Sequence, residues 1–204
     1  MRRSKPGIFW GVTGSVLLVD AFTKVVAVDR LIPAYLPRPL WGERLRLTLV
    51  YNPGAAFGLH LGAQSRWIFI ALTIVALLIL GRLYLETPLV DRVRTLALAL
   101  VSGGALGNLL DRLKSGRGVV DFIDLGIGEW RWPTFNVADI AVTSGAFLLA
   151  LVLWRAETSA EHSSAALASA LAAVPADAPA DAPTVISDAA STAASDPSSL
   201  GVAG

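Results

Sequence analysis

The sequence predicts an all-α membrane bundle of four transmembrane helices, with a small β subdomain and a disordered C-terminal tail. The chain has 204 residues, of which 54% are hydrophobic and 16% charged, and its mean hydropathy is +0.59. In soluble domains about a quarter of the residues are charged. Four long stretches are apolar nearly all round, whereas the helices of a soluble bundle need polar outer faces.

The four apolar stretches are long enough to be membrane spans. They cover residues 8–28, 66–86, 94–113 and 139–156, approximately. Each approaches the ~20 residues that a helix needs to cross ~30 Å of hydrocarbon. The first follows a basic start, but no small-residue cleavage site precedes Asp20 and Lys24. We therefore expect a retained first span rather than a cleaved signal peptide, and a membrane domain over residues 1–156.

Two loops between these spans have strand-like sequences. LRLTLVYN alternates apolar and polar residues before the glycine-rich turn NPGAAFG, and GRGVVDFIDLGIGEWRWPTF combines β-branched and aromatic residues with Gly and Pro. We expect a β subdomain from residues of about 30–62 and 116–135. Residues 157–204 hold six acids, no Lys or Arg and few large apolar side chains, so their composition predicts a disordered tail.

Alternation of the spans gathers the unusual polar residues at one membrane face. The C-terminal ends of spans one and three and the N-terminal end of span four meet there, and both long loops open on the same side. These residues are Asp20, Lys24, Asn52, Asn108, Asp111, Arg112, Asp121, Asn136 and Asp139. The basic RRSK start favours a cytoplasmic N-terminus, although Lys and Arg are numerous on both faces and their count does not settle orientation.

Asp121 in VVDF and Asp139 in FNVAD are the candidate catalytic residues. Two carboxylates that share a proton can hydrolyse a peptide bond, because one takes a proton from water while the other donates to the carbonyl oxygen. Like charge at close range keeps one of the acids protonated near neutrality. Spacing alone does not exclude Asp124 or Glu129 as partners. The chain has no cysteine and its two histidines are far apart, so neither a thiolate nucleophile nor a zinc site is predicted.

Two further motifs combine polar residues with helical spacing. Asp20 and Lys24 in DAFTK lie four residues apart on one helix face, which fits a structural ion pair and also fits a contact with substrate. GGALGNLLDR mixes small residues, which permit close helix packing in lipid, with Asn108 and Asp111. We expect Asp111 and Arg112 to form a charge-assisted orienting pair.

Five motifs together resemble a known family. DAFTK, YNPGAAFG, GGALGNLLDR, VVDF and FNVAD occur in the order and approximate spacing of bacterial lipoprotein signal peptidase, signal peptidase II, and the resemblance covers about residues 8–156. It implies four transmembrane helices and a small extracytoplasmic β subdomain. It also implies an aspartyl endopeptidase of the bacterial cytoplasmic membrane that removes signal peptides from diacylglyceryl-modified prolipoproteins, cutting before the lipidated cysteine.

The resemblance further implies the site and its partners. The catalytic dyad would be Asp121 and Asp139. Supporting or substrate-binding positions would be Asp20, Lys24, Asn52, Gly54, Ala55, Phe57, Gly104, Asn108, Asp111, Arg112, Asn136 and Ala138. The partners would be lipid-modified prolipoprotein and membrane lipid, without nucleic acid, metal or cofactor. Both termini would be cytoplasmic and the active site would open at the outer face.

Two alternatives belong to other functional classes. A small transporter would carry acids across the membrane depth, whereas those of this sequence cluster at one face. A non-enzymatic membrane scaffold would tolerate replacement of both aspartates. The loop tryptophans Trp130 and Trp132 are expected, with the glycine turn, to cradle the residues around the lipidated cysteine; the competing interpretation is that they only anchor the protein at the interface.

Overall fold

The computed structural model describes residues 4–54 and 64–172, which contain four α-helices and four β-strands. The elements in chain order are α1 (Lys5–Arg30), β1 (Arg38–Trp41), β2 (Leu45–Asn52), α2 (Ser65–Glu86), α3 (Arg92–Lys114), β3 (Val119–Ile127), β4 (Trp130–Arg131) and α4 (Val137–Ala172). The chain divides into two units, Met1–Ala156 and Glu157–Gly204. The sheet and helices α1 to α3 lie in the first unit.

All four helices are long and apolar enough to cross a membrane. The spans are α1 with 26 residues, α2 with 22, α3 with 23 and the first 19 residues of α4, Val137–Arg155. A helix rises about 1.5 Å per residue, so even the shortest approaches the ~30 Å of a hydrocarbon core. A helix is therefore found at each of the four predicted spans, and each helix begins slightly before the predicted start.

Polar caps fix the beginnings of α1 and α3. The Ser4 hydroxyl accepts a hydrogen bond from the Gly7 backbone N–H at 3.4 Å, and the Asp91 carboxylate accepts one from the Arg94 N–H at 2.9 Å. Such side chains satisfy amide donors that have no partner within the helix. The caps therefore set where these two apolar helices start.

Helix α3 is the centre of the bundle. Half of its apolar span (50%) is buried inside the protein, against 11% for α2. Small residues let its neighbours approach closely: a Cβ on Gly104 would lie 2.2 Å from the Ala138 carbonyl oxygen of α4, and one on Gly103 would lie 2.9 Å from Val16 of α1. This is the packing by small residues that membrane helices use in place of a hydrophobic driving force.

An antiparallel sheet with strand order β1-β2-β3-β4 caps one end of this bundle. Strands β2 and β3 form its centre, with Leu45 opposite Leu125 and Asn52 opposite Val119. An apolar cluster packs the sheet against the last turns of α1; its buried members are Ala27, Leu31, Leu49 and Phe122. The sheet therefore lies at the bundle end where α1 and α3 finish and α4 begins.

Helix α4 extends beyond the predicted end of the fourth span. Residues 157–172 are helical, where the composition predicts disorder. The prediction of disorder rested on the scarcity of large apolar side chains. Alanine, however, has the highest helix propensity, and this local preference favours a helix even where few such side chains are present. The rest of the predicted tail, residues 173–204, lies outside the described residues.

Candidate active site

Asp121 and Asp139 come from different elements and meet at Asn136. Asp121 lies on β3 and is 2% exposed, whereas Asp139 lies in the first turn of α4. The Asn136 side chain donates to Asp121 Oδ1 at 2.6 Å, and the Asn136 backbone N–H donates to Asp139 Oδ2 at 3.1 Å. The structure thus brings the two predicted carboxylates together through one residue.

The start of α4 explains why Asn136 holds this position. The Asp139 backbone N–H donates to Asn136 Oδ1 at 3.0 Å while the Asp139 carboxylate accepts from the Asn136 N–H. Two such reciprocal bonds between the cap and the third helical residue form a capping box. The local sequence FNVAD therefore both starts the helix and orients one of the two carboxylates.

Each of the four carboxylate oxygens accepts a hydrogen bond from an amide. Besides the two bonds from Asn136, the side chain of Asn52 donates to Asp121 Oδ2 at 3.2 Å. The side chain of Asn108 donates to Asp139 Oδ1 at 2.7 Å. Asn136 Nδ2 also lies 3.1 Å from Asn108 Oδ1, so the amides form one connected network around the dyad.

The environment of Asp121 favours its protonated form up to about neutral pH. Burial raises the pKa of Asp121 to about 7, and the nearby negative charge of Asp139 acts in the same direction. The amide donors of Asn136 and Asn52 oppose this pKa rise but do not cancel it. A protonated carboxyl beside a second carboxyl is the arrangement that acid–base hydrolysis requires.

Lys24 is the buried cation behind the dyad. Its Nζ lies 2.7 Å from Asp20 Oδ2 and 2.8 Å from Asp111 Oδ2, and it donates to Asn108 Oδ1 at 3.0 Å. The predicted Asp20–Lys24 ion pair is confirmed, with both residues less than 5% exposed. Because Lys24 contacts the oxygen of the Asn108 amide, the amide nitrogen is directed to Asp139.

Asp111 and Arg112 do not form the pair that their adjacency suggested. Asp111 takes Lys24 as its ion-pair partner and accepts the Val120 backbone N–H at 3.3 Å. Arg112 instead donates to the Asn108 carbonyl oxygen at 3.2 Å, and its charge acts electrostatically on both dyad residues. The reason is geometric, since consecutive residues of a helix do not face each other.

Gly104 and Ala138 bring α3 and α4 together beside the dyad. Ala138 is fully buried, and its backbone N–H donates to Asp20 Oδ1 at 2.9 Å. A Cβ on Gly104 would overlap the Ala138 carbonyl oxygen. These positions therefore support the site by permitting close packing.

Gly54 lies two residues after strand β2, in a backbone conformation that favours glycine. Its φ is +114°, and a Cβ there would lie 2.8 Å from the Phe69 ring. Its N–H donates to Asn52 Oδ1 at 3.0 Å, which leaves the Asn52 amide nitrogen for Asp121. The predicted supporting residues Ala55 and Phe57 lie outside the described residues.

The structure separates the two competing acids from the dyad. Asp124 lies three residues after Asp121 on an extended strand, and an odd separation directs side chains to opposite faces of a sheet. Its carboxylate binds Arg131 at 2.6 Å and the Thr48 hydroxyl at 3.1 Å. Glu129 is exposed in the turn between β3 and β4. Arg131 was not predicted as a functional residue, although opposite charges on the two arms of a short hairpin were a usable signal.

An open groove of about 500 Å³ begins at Asp139. Its lining is mostly apolar and consists of Trp132, Phe135, Asp139, Ile140, Thr143, Ser144 and Phe147. The α4 members follow helical spacing, so the groove runs along that helix from the dyad.

The sequence matches the family model described as Signal peptidase (SPase) II over residues 12–155. The lipoprotein signal peptidase of Burkholderia mallei (strain SAVP1) is 44% identical over 141 residues, which cover 68% of this chain and 82% of the relative. That of Paraburkholderia phymatum is 43% identical over 141 residues, with the same shares of the two chains covered.

Two solved structures share the fold. Both are described as bacterial membrane enzyme structures determined by the in meso method, at 2.3 and 1.9 Å resolution. Their TM-scores are 0.62 and 0.61 and their identities 29% and 30%; the matches cover 71% and 70% of this chain and 85% and 89% of theirs.

The family match takes in both aspartates, the sheet and most of the four spans. It agrees with the helices that are long and apolar enough for a membrane. The chain therefore belongs to the signal peptidase II family, bacterial membrane proteases that remove signal peptides from lipoproteins.

Proposed function

We propose that this protein is an aspartyl endopeptidase in which Asp121 is the acid and Asp139 the base. The observation that carries the proposal is the Asn136 bridge, which holds the two carboxylates in one hydrogen-bonded unit. The pKa of about 7 at Asp121 supports its role as proton donor. Asp139 borders the open groove, where a water molecule and a peptide can reach it.

In the first step, water attacks the carbonyl carbon of the scissile peptide bond. Asp139 takes a proton from the water as the new carbon–oxygen bond forms, and Asp121 gives its proton to the carbonyl oxygen. The resulting diol then collapses. The carbon–nitrogen bond breaks, the leaving nitrogen receives the proton from Asp139, and Asp121 recovers a proton from a diol hydroxyl, so the dyad returns to its initial state.

We assign the scissile bond as the peptide bond between a diacylglyceryl-modified cysteine and the residue that precedes it. Such a substrate keeps its apolar signal segment and its acyl chains in lipid, so its scissile bond is held near the headgroup level. The dyad lies where α4 begins, between an apolar span and a polar sheet, which suits that depth. A pair of aspartates deeper in the hydrocarbon would lack water, and ionised groups there are costly.

We also propose an orientation of the protein in the membrane. The sheet and the dyad face the outside of the cytoplasmic membrane, and both termini face the cytoplasm. The basic residues of the RRSK start support this orientation. The family's substrates also carry signal peptides, and the mature lipoproteins are exported.

The test is cleavage of a diacylglyceryl-modified prolipoprotein by the purified protein in lipid, with mass analysis of both products. The wild-type protein should release a signal peptide that ends just before the lipidated cysteine, and the unlipidated substrate should be cut at least tenfold more slowly. Asp121→Asn and Asp139→Asn should each lower kcat at least a thousandfold while the thermal unfolding midpoint stays close to that of the wild type.

Asp29→Asn is the matched control. Its carboxylate lies at the same end of the bundle but is 72% exposed and pairs with its neighbour Arg30. This variant should cleave normally. Turnover in either dyad variant above a hundredth of the wild-type rate would reject the two-aspartate mechanism, and a product cut elsewhere would reject the assigned bond.

A further inference from the structure

The chain makes a tight return between the two proposed catalytic residues. After Asp121 it completes β3, turns at Gly128, and comes back antiparallel to reach Asn136 and α4. Backbone hydrogen bonds fix this return on β3: the Trp132 N–H donates to the Leu125 carbonyl at 2.8 Å, and the Phe135 N–H to the Ile123 carbonyl at 3.0 Å. The position of Asn136 against Asp121 thus depends on the register of this return.

Arg131, at the start of the return, binds three oxygen atoms on two parts of the sheet, β3 and the β1–β2 turn. Its Nε and Nη2 lie 2.9 and 2.6 Å from Asp124 Oδ1, and Nη2 also donates to the Asp124 carbonyl at 3.0 Å. Its Nη1 donates to the Glu43 carbonyl at 2.7 Å, in the β1–β2 turn. A planar guanidinium that makes several directional hydrogen bonds fixes the positions of its partners better than a single point charge does.

The surroundings of Arg131 are shaped for this contact. The other oxygen of Asp124 accepts the Thr48 hydroxyl of β2 at 3.1 Å, and the side chains of Asp124 and Arg131 are only 11% and 21% exposed. A Cβ on Gly126 would lie 2.7 Å from the Arg131 Cδ, so the absence of a side chain at Gly126 makes room for the arginine stem. The pair is therefore a built contact rather than a chance surface ion pair, which would contribute little.

We propose that Arg131 is a positioning residue for peptide cleavage, which sets the register of the return segment and thereby holds Asn136 between the two aspartates. The inference rests on the proposed function of the dyad. Arg131 lies on the face of the sheet opposite Asp121 and contacts neither Asp121 nor Asp139. Its effect must therefore pass through the backbone from β4 to Asn136. Displacing that backbone breaks the 2.6 Å contact of Asn136 with Asp121 and misaligns the acid relative to the base.

The test compares Arg131→Gln, Arg131→Lys and the double variant Asp124→Asn/Arg131→Gln, using purified full-length protein in lipid and a lipidated prolipoprotein. Arg131→Gln should lower kcat at least tenfold and should raise KM by a smaller factor, because the displaced Trp132 and Phe135 form only part of the groove wall and the α4 residues remain. Arg131→Lys, which keeps the charge but loses the fork, should lower kcat at least threefold. The double variant leaves no unpaired charge, so its thermal midpoint should recover towards wild type while kcat stays low.

Arg38→Gln is the matched control. Arg38 also binds two backbone carbonyls, those of Arg30 and Ile32 at 2.7 and 2.6 Å, but from edge strand β1, away from the return segment. Its kcat should remain within twofold of wild type.

Wild-type kcat in Arg131→Gln, or recovery of kcat together with the thermal midpoint in the double variant, would overturn the inference and leave Arg131 a purely structural residue. If Arg131→Gln does not fold, Arg131→Lys decides by the same criterion. Activity in Asp121→Asn would instead reject the dyad itself, so the two failures are distinguishable.

Discussion

Asn136 Nδ2 lies 2.6 Å from Asp121 Oδ1. The backbone N–H of the same asparagine donates to Asp139 Oδ2 at 3.1 Å. One asparagine therefore sets the separation of the two acids, and with it the strength of their electrostatic coupling. Burial and this coupling act together to raise the pKa of Asp121 to about 7. The protonation of the dyad is consequently a property of the folded site.

Activity should decline as pH rises through about 7. Asp121 must carry a proton to act as the acid, and each pH unit above its pKa reduces the protonated fraction about tenfold. Because folding raises this pKa from 3.8, the stability that the proton contributes is present below about pH 4 and is lost as pH rises to about 7. The measurement is kcat against pH, with the thermal midpoint recorded at each pH as control. A kcat that stays flat to two units above pH 7 would contradict the role of Asp121.

Asp139→Asn should lower the pKa of Asp121 without restoring its ordinary value. The substitution removes the charge that supports the shift, but burial, the larger cause, remains. Infrared titration of the protonated carboxyl, with the Asp121→Asn/Asp139→Asn double variant subtracted, measures this directly. An unchanged or higher pKa would show that the two carboxyls do not interact.

Gly104→Ala should destabilise the bundle and reduce cleavage. The added methyl would lie 2.2 Å from the Ala138 carbonyl oxygen, so α4 must shift away from α3, at a cost of about 1–3 kcal/mol. The shift occurs one residue before Asp139, so kcat should fall as well. Gly81→Ala is the control, because nothing lies within 4 Å of a Cβ there and alanine favours a helix by up to about 1 kcal/mol. Equal unfolding midpoints for the two variants would argue against close packing at Gly104.

Much of this architecture could be predicted from local sequence, because its causes are local. Hydropathy over about twenty residues predicts each span, and a four-residue separation predicts the Asp20–Lys24 pair. The contacts that could not be predicted join residues distant in the chain. Asp111 finds Lys24 only when α3 packs on α1. Likewise, the burial of Asp124 against Arg131 depends on a sheet register that no single strand specifies.

The absence of cysteine from the natural sequence allows a clean test of orientation. Val90, 86% exposed between α2 and α3, and Glu129, exposed at the β3–β4 turn, lie at opposite ends of the bundle. A membrane-impermeant maleimide should label Glu129→Cys in intact spheroplasts, and Val90→Cys only after lysis. The reverse pattern would invert the proposed topology and put the dyad on the cytoplasmic side.

The two loop tryptophans should differ in their effect on substrate binding. Trp132 lines the groove that begins at Asp139, whereas Trp130 is 88% exposed at the tip of the β3–β4 hairpin. An aromatic ring in the groove wall supplies a large apolar contact for a substrate, so Trp132→Ala should raise KM for lipidated prolipoprotein at least threefold. Trp130→Ala should change KM less than twofold. If the tryptophans only anchor the protein at the interface, both variants should lower membrane insertion and leave KM of the inserted protein unchanged.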